Sequence, residues 1–424
     1  MKTIAAMAAA GVLLAVTQAH AEGVVVRVGQ DSGDVVGNDS FALQRAADEI
    51  ARRAPAGGGT LLIGAGTYTM YDSLHVPVPV TIRGQGQATI LRKCAQVRTK
   101  LLQDFDLSEY IMKVESSQGL RVGMGITLKD SAQQSGWECS VRTIVAINGQ
   151  EVRVDRRPER DYGLAQGAWA QNSFPLISVR QVNGVVIEDL LTDGNLEENR
   201  DVPLDGCRSG GIYFHDVRNC TVRRCVARNG NGDGISWQTT EDMLVEDCEA
   251  YGNTGLGLHP GTGSPRTTVR NCRAHSNGQV GLFLCWGVRF SRFENNILED
   301  NPVGISIGHK DADNLFVNNQ VRRNSKFGVL FRDEHETTAG HRCTFRSNVI
   351  EDNAIGIQID GTTRGTVLEE NIIRDTRPAG KRTQTVAISV GANAEEPRIA
   401  PSNRIEGEVR SAAKKPATAV SGRP

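Results

Sequence analysis

The sequence predicts an all-β protein, a right-handed parallel β-helix (a solenoid) with a short N-terminal capping helix and an inserted β-subdomain. Three observations carry this expectation. A Gly followed by an alternating apolar/polar strand recurs as GISWQ at Gly234, GLHPG at Gly257, GLFLC at Gly281, GISIG at Gly304, GVLFR at Gly328 and GIQID at Gly356, at steps of 23, 24, 23, 24 and 28 residues. A second ladder, Cys225, Cys248, Cys272, Asn296, Asn319, Asn348 and Asn371, keeps step with the first. Finally, no stretch between these marks has the spacing of an amphipathic helix, so the unit is made of short strands and Asn-rich turns. A fixed period of this size is the signature of stacked rungs that bury one another's apolar faces.

Within each rung the residues one and three places after the Gly are apolar, as in Ile235 and Trp237, Leu282 and Leu284, Ile305 and Ile307. Side chains alternate faces along a strand, so these point into the core and the residues two and four places after the Gly point outward. The outward columns then read Tyr213, Ser236, His259, Phe283, Ser306, Leu330, Gln358 and His215, Gln238, Gly261, Cys285, Gly308, Arg332, Asp360. At about 4.8 Å per rung they form one flat, exposed strip.

The other elements follow in chain order. Residues 1–21 carry Lys2, an apolar run through Val16 and Ala19-His20-Ala21, the pattern of a secretory signal cleaved after Ala21. A secreted or periplasmic protein is expected, with no later segment apolar enough for stable membrane insertion. Residues 22–94 give a cap and the first coils, including a strand at Val24–Val28. A helix near Asp39–Arg53 has Leu43, Ala46, Ala47 and Ile50 at helical spacing, with Asp39 or Ser40 as its cap and Pro55 closing it.

Residues 95–179 break the period. Val141–Ile147 and Glu151–Asp155 flank Asn148-Gly149, a hairpin signal, and with Trp137, Tyr162, Trp169 and Phe174 nearby they suggest an inserted β-subdomain overhanging the solenoid; a bulky loop is the alternative. The repeats occupy 180–410, interrupted by the excursion Thr192–Gly211, and 411–424 reads as a disordered tail. Residues 38–91, from Asn38-Asp39 through GGGT at Gly57 to TIRGQG at Thr81, closely resemble the start of the pectin-lyase-like superfamily. The repeats over 217–376 look like that superfamily's coils, so the resemblance implies the β-helix fold.

With 424 residues, a net charge of −1 and 23% charged residues, the chain is globular and carries no electrostatic footprint for nucleic acid. A monomer acting on a polysaccharide is the expected state. Nine cysteines in an exported chain raise disulfides. Cys225, Cys248 and Cys272 read as a buried column of thiols, and Cys94–Cys139 and Cys207–Cys220 as the pairs suited to bridging.

Candidate chemistry concentrates on the outward face. His259 is flanked by Asp233, Gln238 and Trp286; His309, Lys310 and Arg332 follow along the face; and the excursion brings Asp193, Asp205 and Arg208 over Tyr213 and His215. Proton abstraction beside a carboxylate, the first step of β-elimination or C5 epimerisation of a uronate, needs a base and cationic partners for the developing enolate. For that chemistry His259 is the candidate base, with Lys310, Arg332 and Asp233 completing the catalytic set. Tyr213, His215, Gln238, Trp286, His309, Arg208 and Asp205 are the candidate substrate-binding groups.

A glycoside hydrolase would instead need two carboxyls about 5–9.5 Å apart, drawn from Asp193, Asp205 and Asp233. The segments LTDGN, GDGIS and GLGLHPGTGS resemble the polygalacturonase pattern in their order, but no second Asp adjoins Asp233 and Gly-His-Gly is missing. The same three carboxylates are the candidate ligands for Ca2+, with no other cofactor expected. A non-catalytic glycan-binding module is the third class.

Overall fold

The computed structural model describes residues 23–132, 139–200 and 206–413. The signal segment, Trp137, Asp205 and the tail beyond Ala413 lie outside the described residues. Alternating burial along each short strand sets the architecture: Thr268–Arg270, Arg292–Glu294 and Leu315–Val317 each bury only the middle residue. Every coil contributes one strand to each of three long parallel sheets, of 13, 11 and 11 strands among the described residues. The Gly-led strands of the sequence repeat form one of these, hereafter the site sheet. There Ile235 pairs with Leu258, Leu258 with Leu282 and Leu282 with Ile305, so the register is the one the repeat predicts.

Stacking gives the core its energy. Phe293, Phe316 and Phe345 sit with ring centroids 4.9 and 4.5 Å apart, the rung spacing itself. The asparagine ladder is also inward: Asn319 Nδ2 donates to Asn348 Oδ1 at 2.9 Å and to Phe293 O at 2.9 Å. Each buried amide thus satisfies its own turn and the next. A second ladder of Asn253, Asn277, Asn301, Asn324, Asn353 and Gln384 runs parallel to it, by the same device.

Cys225, Cys248 and Cys272 are buried, and each donates its thiol to a carbonyl of the preceding coil at 3.6 Å. All nine cysteines are thiols, so the Cys94–Cys139 and Cys207–Cys220 bridges expected from sequence are not made. A stack of hydrogen-bonded rungs supplies the cross-linking that disulfides give to small exported domains.

The helix spans Ser40–Arg53; Asp39 caps it by accepting from Ala42 N, and Leu43, Ala46 and Ile50 seal the first coil. No helix among the described residues is long and apolar enough to cross a membrane. Between the first coils and the repeats, six antiparallel strands from Arg98–Lys100 to Trp169–Gln171 form a separate sheet with its own core of Phe105, Met112, Ile126, Ile144 and Tyr162. Its hairpin pairs Asn148 with Glu151, so the turn is Gly149-Gln150, one residue later than the sequence suggests. Gly149 takes the left-handed conformation, with φ 59°. The solenoid resumes early: Ile177–Arg180 is already a strand of the site sheet, between Leu74–His75 and Ile212–Arg218.

Candidate functional site

Register creates the site. Ser178, Tyr213, Ser236 and His259 pair in succession, as do Arg180, His215 and Gln238, so each set forms an outward column. The columns are those read from the repeat, with one rung added at the N-terminal end. Their exposure differs from the expectation. Tyr213 is 1% exposed, Ser236 1%, Gln238 2% and His259 7%. They do face away from the solenoid core, but the 3-10 turn Cys207–Ser209 and the inserted sheet lie against this end of the face, with Arg208 Nη1 donating to Cys139 O.

At the N-terminal end a pocket of about 420 Å³ opens between the site sheet and the inserted sheet. His75, Ser178, Arg180 and Tyr213 line one side, Arg142, Thr143, Asp155 and Arg156 the other, and Arg208 also reaches it. The carboxylates here are committed. Asp72 accepts from Thr143 Oγ1 at 2.5 Å and sits 3.3 Å from His75 Nε2, and Asp155 accepts from Thr143 N and Arg156 Nε at 2.9 Å each.

Arg142 is likewise held, by Arg157 O at 2.7 Å and Glu159 at 3.3 Å. Arg180 is different. It is half-buried, and no hydrogen bond or ion pair engages its guanidinium among the described residues. Burial and the neighbouring Arg208 and Arg156 push its pKa down, only partly offset by Tyr213. Tyr213 and His215 stack with centroids 6.2 Å apart. Burial first, then Arg180 and Arg208, press the His215 pKa down to about 4, so its imidazole is neutral at physiological pH.

Two rungs on, His259 Nδ1 lies 2.7 Å from Asp233 Oδ2, and both side chains are buried. Asp233 Oδ1 also accepts from Leu256 N at 3.1 Å, so the carboxylate serves a neighbouring turn as well as the charge pair. Burial opposes charge on His259, but hydrogen bonds to Asp233 and Cys285 outweigh it and raise its pKa to about 10. At neutral pH it is an imidazolium. The expectation of an exposed His259 is corrected: it faces away from the solenoid core but lies buried against Asp233.

The C-terminal cluster is internally satisfied. Arg332 donates to Leu284 O at 3.0 Å, Ser306 Oγ at 2.9 Å, Cys285 O at 3.2 Å and Glu334 Oε1 at 3.0 Å, and its side chain is 17% exposed. It is a fastener between coils rather than the exposed group that alternation suggested. Glu334 also lies 3.2 Å from His309 Nε2. Trp286 remains open at 42% exposure, stacked on His309 with centroids 5.2 Å apart and with Lys310 Nζ 5.2 Å from its ring centroid. Lys310 and His309 both sit at positive φ in that turn.

The calcium and hydrolase trio loses two members: Asp193 pairs with Arg228 at 3.0 Å and Asp233 with His259, while Asp205 lies outside the described residues. Among the described residues no three of His, Cys, Asp and Glu are grouped so as to hold a metal. Arg180, His75, Thr143 and Asp155 were missed by sequence reasoning. Arg180 is two residues before the repeat's next apolar position, so the ladder signal extended one rung would have found it. The others come from the first coil and the insertion and leave no such mark.

The family described as "Right handed beta helix region" matches residues 176–338. The solenoid is a right-handed parallel β-helix. Solved β-helix structures agree in fold. The A-module of the Azotobacter vinelandii mannuronan C-5 epimerase AlgE4 superposes with TM-score 0.53 at 16% identity, covering 92% of this chain and all (100%) of that one. A glycoside hydrolase gives 0.51 at 11% identity over 92% and 96% of the two chains. The Dettilon tailspike protein gives 0.52 at 12% identity over 88% and 64%. Among curated proteins, the SPbeta prophage-derived uncharacterized protein YorA of Bacillus subtilis (strain 168) is 24% identical over 252 residues, 54% of this chain. The matched stretch spans 42% of YorA's length.

Proposed function

We propose that this β-helix protein acts on a uronate-containing polysaccharide, removing the proton beside the carboxylate on the way to β-elimination or C5 epimerisation. The observation that carries the reading is Arg180, a half-buried cation without a protein acceptor among the described residues, on the floor of a pocket whose other charged groups have protein partners. An uncompensated buried guanidinium is costly, and a planar carboxylate is the ligand that matches its fork of donors. The solved neighbours support the fold; the choice of reaction rests on this pocket.

In this reading the carboxylate binds Arg180 with Arg208 beside it. Both stabilise the enolate as the proton leaves. His215 is the base in place of His259, because it is neutral while His259 is charged. Its pKa of about 4 is low first because it is buried and then because two arginines face it; a bound carboxylate offsets the arginines and raises its basicity. The Tyr213 hydroxyl then returns a proton. Delivered to the glycosidic oxygen it completes elimination; because Tyr213 and His215 project from the same side of one strand, the epimer needs a proton donor on the other side of the sugar ring. His259, Gln238 and Ser236 bind the next sugar, and Trp286 with Lys310 a more distant one.

A second reading, hydrolysis, has its own support: Asp72 and Asp155, both hydrogen-bonded to Thr143, line the same pocket. Product analysis on a panel of uronate polymers separates the outcomes. New ultraviolet absorbance means elimination, altered C5 configuration without chain loss means epimerisation, and reducing ends without absorbance mean hydrolysis. Binding without product makes the protein a glycan-binding module. Tyr213→Phe should lower turnover by roughly 10² or more with little change in KM, the mark of a lost proton donor. Full turnover in that variant, or equal action on neutral glycans, would sink the assignment.

A further inference from the structure

We propose that the pocket receives the end of a uronate chain and not its middle; this deepens, and rests on, the uronate reading above. The argument is about walls. Leu74–His75 is the terminal strand of the site sheet, and directly beyond it stands the inserted sheet. Val141, Arg142, Thr143, Asp155 and Arg156 form that wall, and Pro175 also lines the cavity.

The wall is fixed to the first coils at several points. Thr143 Oγ1 donates to Asp72 at 2.5 Å, Thr127 Oγ1 to Ser173 O at 2.5 Å and Gly125 N to Tyr71 O at 2.9 Å. A Cβ at Gly125 would lie 2.6 Å from the Phe174 ring, so the sheet lies directly on the solenoid there. The flank is tied as well, by Arg208 donating to Cys139 O. A polymer lying along the site sheet therefore meets a rigid stop at its first strand.

The volume agrees. About 420 Å³ is at the low end of the roughly 300–1,000 Å³ of small-molecule sites, room for about one or two sugar units. An internal stretch of polymer needs an exit on both sides, whereas a terminal unit needs only one. The polar faces fit a chain end too. The carboxylate meets Arg180, and the hydroxyl freed by the missing next sugar can reach Thr143 or Asp155 on the wall.

The test is calorimetric binding of oligouronates of increasing length to the intact protein, beside uncharged oligosaccharides of matching size. For a chain-end site, one chain binds per protein molecule at every length, and Kd per mole of chain stops changing beyond about three or four units. Arg180→Ala should weaken the shortest binding oligomer at least tenfold while leaving Tm within about 2 °C, because no protein group loses a partner. Several protein molecules per long chain, with constant Kd per sugar, would overturn the chain-end proposal and leave the uronate reading standing. Equal binding of uncharged chains would overturn the uronate reading, and this proposal with it.

Discussion

Arg180 and Arg332 are both outward-facing arginines on the same sheet, and they do opposite jobs. At the C-terminal end Arg332 is bound by two carbonyls, a hydroxyl and a carboxylate, so its charge is spent on holding coils together. At the N-terminal end Arg180 lies under a foreign sheet that shields it from water and, among the described residues, gives it no acceptor. Regular stacking tends to satisfy a charge, since each rung brings the next rung's carbonyls and side chains within reach. An inserted element that interrupts the stacking leaves one unsatisfied. Function is therefore expected at the interruption.

The buried His259–Asp233 pair lies between the two ends, and breaking it should have the largest effect. His259→Ala is expected to cost about 3–5 kcal/mol of stability, because it leaves a buried carboxylate without its counter-charge. Chemical denaturation measures this; an unchanged midpoint would mean that the pair is open to water. The same pair predicts a pH dependence. His259 has a folded pKa of about 10 against an ordinary 6.5, so its contribution is complete below about pH 6.5 and fades as pH rises through 10. Asp233→Asn should flatten the alkaline fall in Tm.

The next effect separates the two arginines directly. Arg332→Ala should lose about 2–3 kcal/mol of stability through orphaned carbonyls and Glu334, with little loss of activity per folded molecule. Arg180→Ala should show the reverse, stability unchanged and kcat/KM down by roughly 10², the usual cost of one oxyanion-stabilising donor. If both variants behaved alike, the contrast would fail.

Asn319→Ala should cost about 2 kcal/mol, because Asn296 N, Asn296 Nδ2 and Phe293 O each lose a partner while neither end is touched. The smallest change is expected at Trp286. Trp286→Ala should weaken long chains only a few-fold, the order of one stacking contact at an exposed site, and leave the shortest oligomers unaffected. Equal weakening at all lengths would place the platform inside the pocket.

Much of the fold was legible because a solenoid writes its contacts as a period. Leu258 against Leu282, the inward cysteines and the asparagine ladder all follow from counting residues. The site was legible only in part. Tyr213, His215 and Arg208 were singled out as substrate-binding, and they do lie at the pocket or beside it. His259 and Arg332 were assigned exposure they lack, because alternation says which way a side chain points but not what lies over it.

By itself, then, the sequence determined the β-helix, its register, its capping helix and the two outward columns, since each depends on neighbours one period apart. Tertiary structure alone decided which outward residues are covered, which cations are satisfied and where a cavity remains. Those depend on Asp72, Thr143 and Arg180, brought together across 108 residues of chain with no repeat linking them. The charge of His259 and the neutrality of His215 were likewise decided by partners from other coils, because burial and neighbouring charge, not residue type, set a pKa.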